Sequence, residues 1–156
     1  MEALFKIIKN VKKLNQDKML SDIFKKNKTF ILDMNREQMY SYGVMDVNNP
    51  NSTVEYADYT KIAKVGGIKG IRKAKFPRID HITLKWDGTF HKSLKIKIEK
   101  EWFTIWSNNT TWVYDLSTQM DFENALGLTD KSIKKLIELV LPLFIKQTKI
   151  NILANI

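Results

Sequence analysis

Polar and apolar positions alternate twice in the middle of the chain. Leu94, Ile96 and Ile98 interleave with Ser93, Lys95, Lys97 and Glu99, the period of a strand with one buried face. After the charged pair Lys100-Glu101 the alternation resumes in Trp102-Phe103-Thr104-Ile105-Trp106, whose aromatic and β-branched residues suit a pleated surface. The two segments predict an antiparallel hairpin, closed after its second strand by Asn108-Asn109. Upstream, His81-Ile82-Thr83-Leu84 leads into a turn at Asp87-Gly88, where aspartate supplies a side-chain acceptor and glycine a permissive backbone. An antiparallel sheet around residues 81–113 is expected.

Elsewhere the period is that of helices. Leu4, Ile7, Ile8, Val11 and Leu14 form one stripe, and Met19, Leu20, Ile23 and Phe24 a second, after a break at Asn15-Gln16-Asp17. The ordinary expectation is that both pack on the chain's own sheet; the alternative is a basic amphipathic helix that docks on a neighbouring subunit or a membrane. A third helical turn is predicted between Asn35 and Tyr42, with Asn35 as cap and Gly43 as stop, followed by a polar loop from Val44 to Glu55. Leu116 to Ala125 reads as a short helix that stops at Gly127. Thr129 then caps a long helix in which Ile133, Leu136, Ile137, Val140, Leu141, Phe144, Ile145 and Thr148 recur every three or four residues. Pro142 lies inside this pattern and predicts a bend or a division into two helices near Glu138 to Leu141, because proline lacks a backbone donor. The expected architecture is α+β: N-terminal helices, the antiparallel sheet, and a long C-terminal helix packed on it.

At 156 residues the chain suits a single domain, with residues 1–28 as an N-terminal helical region and 29–156 as the α+β core. A chain of this size buries about 70 % of its unfolded surface. The absence of cysteine excludes a disulfide framework and thiolate metal sites. No apolar run reaches the roughly 20 residues needed to span a bilayer, and Met1-Glu2-Ala3 opens no signal peptide, so cytoplasmic folding without membrane binding is expected. Charge changes the picture more. A net charge of +9 and a pI near 9.6 call for an acidic partner or surface. Lysines gather near the N-terminus and from Lys61 through Arg78, where Gly66, Gly67 and Gly70 loosen the backbone. Within that run Lys69, Arg72, Lys73, Lys75 and Arg78 form a candidate basic patch able to touch phosphates without sequence preference. A solvated, mobile basic loop is the plainer reading.

Candidate chemistry is sparse. Asp87, His91 and Ser93 are the residue types of a hydrolytic triad, but a strand would send residues 91 and 93 to one face with no reason to meet. His81 and His91 lack the spacing and the carboxylates of a metal site. Gly66-Gly67-Ile68-Lys69-Gly70 lacks the Lys-Ser/Thr ending of a phosphate loop. No cofactor is expected, and the residues point away from an enzyme. Trp102 and Trp106, four residues apart and therefore in the same strand phase, fall on a face that needs covering, and tryptophan is enriched at interface hot spots.

One resemblance orders these observations. Asn35-Arg36-Glu37-Gln38-Met39-Tyr40, Gly43, Tyr56 with Tyr59-Thr60 and Lys64, Leu84, Gly88, Phe90, Ser93 and Gly127-Leu128-Thr129 resemble, over roughly residues 30–145, the neck and tail-completion proteins of tailed bacteriophages, also called virion morphogenesis proteins. Asp87 stands where those proteins usually carry threonine before the glycine, and Trp86 is an insertion. The resemblance implies a structural virion protein assembled in the host bacterial cytoplasm, one subunit of a homo-oligomeric ring between portal and tail. Its partners would be portal, adaptor or tail proteins, and its candidate interface residues Trp102, Trp106, Gly88 and Phe90. A small basic nucleic-acid-binding module, with nonspecific contact to DNA through the basic patch, is the alternative.

Overall fold

The computed structural model describes residues 2–43, 56–69, 71–100, 102–109 and 126–154. Helices α1 (Glu2–Lys12), α2 (Gln16–Lys26), α3 (Lys28–Tyr42), α4 (Asp58–Gly66) and α5 (Thr89–Ser93) precede strands β1 (Leu94–Glu99) and β2 (Trp102–Ser107) and a final helix α6 (Asp130–Leu153). The class is α+β, with a two-stranded antiparallel sheet and a long C-terminal helix against it. The predicted loop from Val44 to Glu55, the end of the expected sheet region (110–113) and the helix from Leu116 to Ala125 lie outside the described residues.

The hairpin follows the alternation. Its register runs from Leu94 opposite Ser107 to Glu99 opposite Trp102. Leu94 and Ile105 are buried, and Ile96, Ile98 and Phe103 pack against the same core, while Lys95, Lys97, Trp102, Thr104 and Trp106 are exposed. Lys100, at φ 35°, takes the left-handed backbone that a tight hairpin turn uses. Among the described residues the ladder is confined to β1 and β2: residues 82–88 form none, and residues 89–93 are a short helix. The cause is local: Asp87 Oδ1 accepts the Thr89 amide at 2.8 Å, and Gly88, at φ 91°, turns the chain into α5.

Asn15 caps α2 by accepting the Lys18 amide at 2.9 Å. Of the first two helices, α2 lies on the sheet: Phe24 meets Phe103 edge-on with ring centroids 5.4 Å apart. Helix α1 instead leans on the end of α6, where Asn10 Nδ2 donates to the carbonyls of Ile152 at 2.8 Å and Ala154 at 3.1 Å. Position 28 marks no structural break, since Ile23 and Phe24 share a core with Ile31, Ile105, Leu128, Leu136 and Val140. A second cluster joins Met39, Ile82, Leu84, Phe90 and Leu94, and Leu32 and Leu126 pack against both.

Two further expectations are corrected. Asn35 is not a cap but an interior residue of a 15-residue α3, fully buried, with its Nδ2 donating to the Gly127 carbonyl. Gly43, at φ 94°, does end that helix. Helix α6 is continuous through Pro142 rather than two helices. Pro142 and Glu138 are both exposed, so solvent can satisfy the carbonyl that proline leaves without a donor. Among the described residues no helix is long and apolar enough to cross a membrane.

Candidate functional site

Buried polar side chains tie distant segments together at three places. Lys64 in α4 is 0 % exposed, with its ammonium 2.9 Å from Tyr56 OH, 3.4 Å from Thr83 Oγ1 and 4.2 Å from the centre of the Tyr56 ring. Tyr56 OH also accepts the Thr83 amide at 3.0 Å. In α3, Gln38 Oε1 accepts from the Thr129 amide at 2.9 Å, from Thr129 Oγ1 at 3.1 Å and from Ser132 Oγ at 3.0 Å. Thr129 is thus the N-cap by position, but its hydroxyl meets Gln38 and the Ser132 hydroxyl rather than a backbone amide of its helix. Arg36 Nε donates to the His91 carbonyl at 2.8 Å, and its Nη1 meets Asp33 at 2.7 Å. Asn35, Arg36, Gln38, Tyr56, Lys64 and Thr129 all carried the resemblance, and all act here as fastenings between segments.

The triad types do not converge. His91 Nε2 lies 2.7 Å from the Thr83 carbonyl, and a carbonyl only accepts, so Nε2 carries the proton. Ser93 Oγ is 2.6 Å from the Phe90 carbonyl and 2.6 Å from Ser107 Oγ. Asp87 faces Thr89, whose hydrogen bonds hold the carboxyl below its ordinary pKa. His81 Nε2 donates to the Tyr40 carbonyl at 2.9 Å. Burial pushes the pKa of His91 down, assisted by the positive charges of Lys85 and Arg36 and opposed by the bond to Thr83.

The run from Lys61 to Arg78 is not the mobile loop that its composition suggests. Residues 61–66 belong to α4, and Ile68 and Ile71 exchange backbone hydrogen bonds at 3.1 and 2.8 Å in a tight turn. A Cβ on Gly67, at φ 70°, would come 3.1 Å from the Lys73 amide nitrogen, so glycine is needed for this turn. Lys69, Arg72, Lys73 and Lys75 are exposed, without an ion pair among the described residues. Arg78 is engaged: its Nε is 2.9 Å from Asp80 Oδ1, its Nη1 donates to the Tyr40 carbonyl at 3.2 Å, and Asp80 raises its pKa.

The candidate interface set divides. Trp102, 63 % exposed, and Trp106, 37 % exposed, stand on the outward face of the hairpin, with Trp102 Nε1 donating to Glu99 at 2.9 Å. Phe90, only 2 % exposed, belongs to the core, and Gly88 sits against Phe76 at the start of α5; neither presents a side chain to a partner. Burial of Phe90 follows from α5, which turns that side chain inward where a strand was expected.

Sequence reasoning did not separate the covered from the exposed half of the α6 stripe. Ile133, Ile137, Leu141 and Ile145 are all exposed, at spacings of four along α6, and Leu153 continues the same row two turns on. The sequence shows Ile133, Ile137, Leu141 and Ile145 on one apolar face with Leu136, Val140, Phe144 and Thr148, and periodicity alone cannot say which half of so wide a stripe is covered. Also missed was the convergence of Arg36, Lys75, Lys85 and Lys92 around one cleft, which no linear spacing announces. No protein-family model, curated protein or solved structure matches the chain.

Proposed function

We propose that this protein is a non-enzymatic assembly subunit that associates with further copies of itself through the exposed row on α6 and the tryptophan face of the hairpin. The row carries the reading. Ile133, Ile137, Leu141 and Ile145 form an i, i+4 ridge about 18 Å long, the surface feature that helices interdigitate when they pack. An apolar row of this length left in water marks an interaction surface. The outward hairpin face adds two tryptophans ringed by Lys95, Lys97 and Glu99, an aromatic centre with a charged rim like that of protein interfaces. The side chains His81, Asp87, His91 and Ser93, whose types suggest chemistry, are engaged in structural hydrogen bonds.

The finer form of the proposal is a ring subunit of the neck or tail-completion layer of a tailed bacteriophage, joining portal to tail. It rests on the resemblance of residues 30–145. A cyclic ring needs two different complementary patches on each subunit, and the α6 ridge and the hairpin face are two separate candidates. Native mass spectrometry of the wild-type chain and of Trp102→Ser/Trp106→Ser tests the proposal. The expected result is a discrete oligomer that the double variant loses while keeping its circular dichroism spectrum, because a buried aromatic hot spot carries about 2 kcal/mol or more. A wild-type chain that stays monomeric at high micromolar concentration would overturn self-assembly.

A further inference from the structure

Between α3, residues 75–76 and residues 85–92 lies an open cleft of about 330 Å3 lined by Arg36, Lys75, Phe76, Lys85, Asp87, Gly88, His91 and Lys92. Four of these side chains are cationic and one is a carboxylate. Asp87 Oδ1 already accepts the Thr89 amide, and Arg36 is half satisfied by Asp33. Lys75, Lys85 and Lys92 have no ion pair among the described residues. Lys85 is held in place all the same: its ammonium lies 4.3 Å from the centre of the Tyr40 ring and 4.4 Å from that of Phe76. The backbone behind it is strained, since Leu84 is a buried leucine at φ 51°, and such outliers cluster at functional sites. The cleft therefore has a rigid floor, made by the buried His91 and the Arg36 bond to its carbonyl, and a positive charge that the described residues do not neutralise.

We propose that this cleft is a phosphate-binding site, in which the Lys75, Lys85 and Lys92 ammonium groups and the Arg36 guanidinium receive the oxygens of one phosphoryl group. Clustered charge-assisted donors suit a tetrahedral dianion or a phosphodiester better than a planar carboxylate held by one fork. Neutral His91 adds no competing charge, and the positive field at its ring comes from Lys85 and Arg36, the cations that would meet the ligand. Free inorganic phosphate and the backbone of a nucleic acid strand offer the same chemistry. Lys69, Arg72 and Lys73, just upstream in the chain, would give a strand further contacts outside the cleft. The site is independent of the assembly reading, because it uses neither the α6 ridge nor the tryptophan face.

The test follows the His91 ring by nuclear magnetic resonance in uniformly labelled full-length protein, assigned against a His81→Gln variant, since the chain has only two histidines. Inorganic phosphate is titrated at constant ionic strength maintained with sodium chloride. The His91 resonances should move saturably. The double variant Lys75→Gln/Lys92→Gln, which alters two exposed side chains, should weaken phosphate binding about tenfold, as expected for two partly solvated charge-assisted contacts. Lys69→Gln/Arg72→Gln/Lys73→Gln should leave phosphate affinity unchanged. A short DNA duplex as a second probe separates the sources: displacement of the duplex by phosphate with a shared His91 shift assigns the site to a strand backbone, and a His91 response to phosphate alone assigns it to the free ion. A His91 shift that sodium chloride reproduces, or equal phosphate affinity in the Lys75/Lys92 variant, would overturn the proposal.

Discussion

Helices α3 and α6 pack together in the core yet distribute polarity in opposite ways. Helix α3 buries Asn35 and Gln38 beside Ile31 and Met39. Helix α6 buries only Leu136 and Val140 and leaves Ile133, Ile137, Leu141, Leu143, Ile145, Ile150 and Leu153 exposed. The buried amides of α3 find specific partners in the segment that starts α6, so polarity there fixes how the two helices meet. The exposed side of α6 has no such partners among the described residues. Within the described residues one helix turns its polar side chains inward, and the other keeps a row of apolar side chains exposed.

Adjacent residues of α6 offer the sharpest way to break this comparison. Leu136, 5 % exposed, contributes to the inner core, whereas Ile137, 53 % exposed, lies on the ridge. Leu136→Ala should lower unfolding stability of the monomer by about 3 kcal/mol, the usual cost of a cavity in a packed core. Ile137→Ala should change it by less than about 0.5 kcal/mol. In association the order reverses: Ile137→Lys should abolish the oligomer in analytical ultracentrifugation while the monomer stays folded. Comparable destabilisation by the two alanine variants in urea melts under monomeric conditions would show that the ridge is covered within the chain.

The polar side of the comparison predicts a somewhat smaller effect. Gln38→Leu keeps much of the volume but removes the acceptor shared by the Thr129 amide, the Thr129 hydroxyl and Ser132. The buried Thr129 amide is then without its partner, which costs about 1–3 kcal/mol. For a chain of this size that corresponds to a fall in Tm of roughly 3–9 °C, measurable by calorimetry. An unchanged Tm would mean that the contact between α3 and the start of α6 rests on Ile31, Leu128 and Leu136 alone.

What could be read from the sequence was local, and what could not depended on distant partners. The hairpin was legible because its period is set by neighbours one or two residues away, and the break at Asn15-Gln16-Asp17 because it interrupts a local apolar stripe. Asn35 looks like a cap by residue type, but its partner Gly127 is 92 positions away and holds it inside a helix. Lys64 sits in a basic run and reads as solvated, yet Tyr56 and Thr83 enclose it. The stripe on α6 was visible as apolar, but the division between Leu136 and Ile137 depends on where α2, α3 and the sheet lie. Of the basic run, Lys75 lines the cleft and Arg78 is bound to Asp80, while Arg36, Lys85 and Lys92 come from segments that composition gave no reason to join.

The smallest expected effect concerns pH and the same fastening of distant segments. Burial lowers the pKa of His91 below its ordinary 6.5, so the folded protein keeps this ring neutral at a pH where the unfolded chain protonates it. The sign follows from proton binding: below 6.5 the unfolded state holds more protons at this position, so stability rises with pH there. The stabilisation is fully present above the unfolded value and is lost as pH falls toward the lower folded value. The carboxyls of Asp80, Asp87 and Glu99 are also depressed, by hydrogen bonds from Arg78, Thr89 and Lys97 respectively, but their loss belongs to a more acidic window, below their ordinary 3.8 to 4.5. Urea midpoints measured between about pH 7.5 and 5.5 isolate the histidine contribution from those carboxyls. His91→Gln, whose amide can still donate to the Thr83 carbonyl, should flatten the dependence while His81 remains in place as the control. An equal slope in wild type and variant would place the titrating group elsewhere and remove His91 from the account of how residues 83–93 are held.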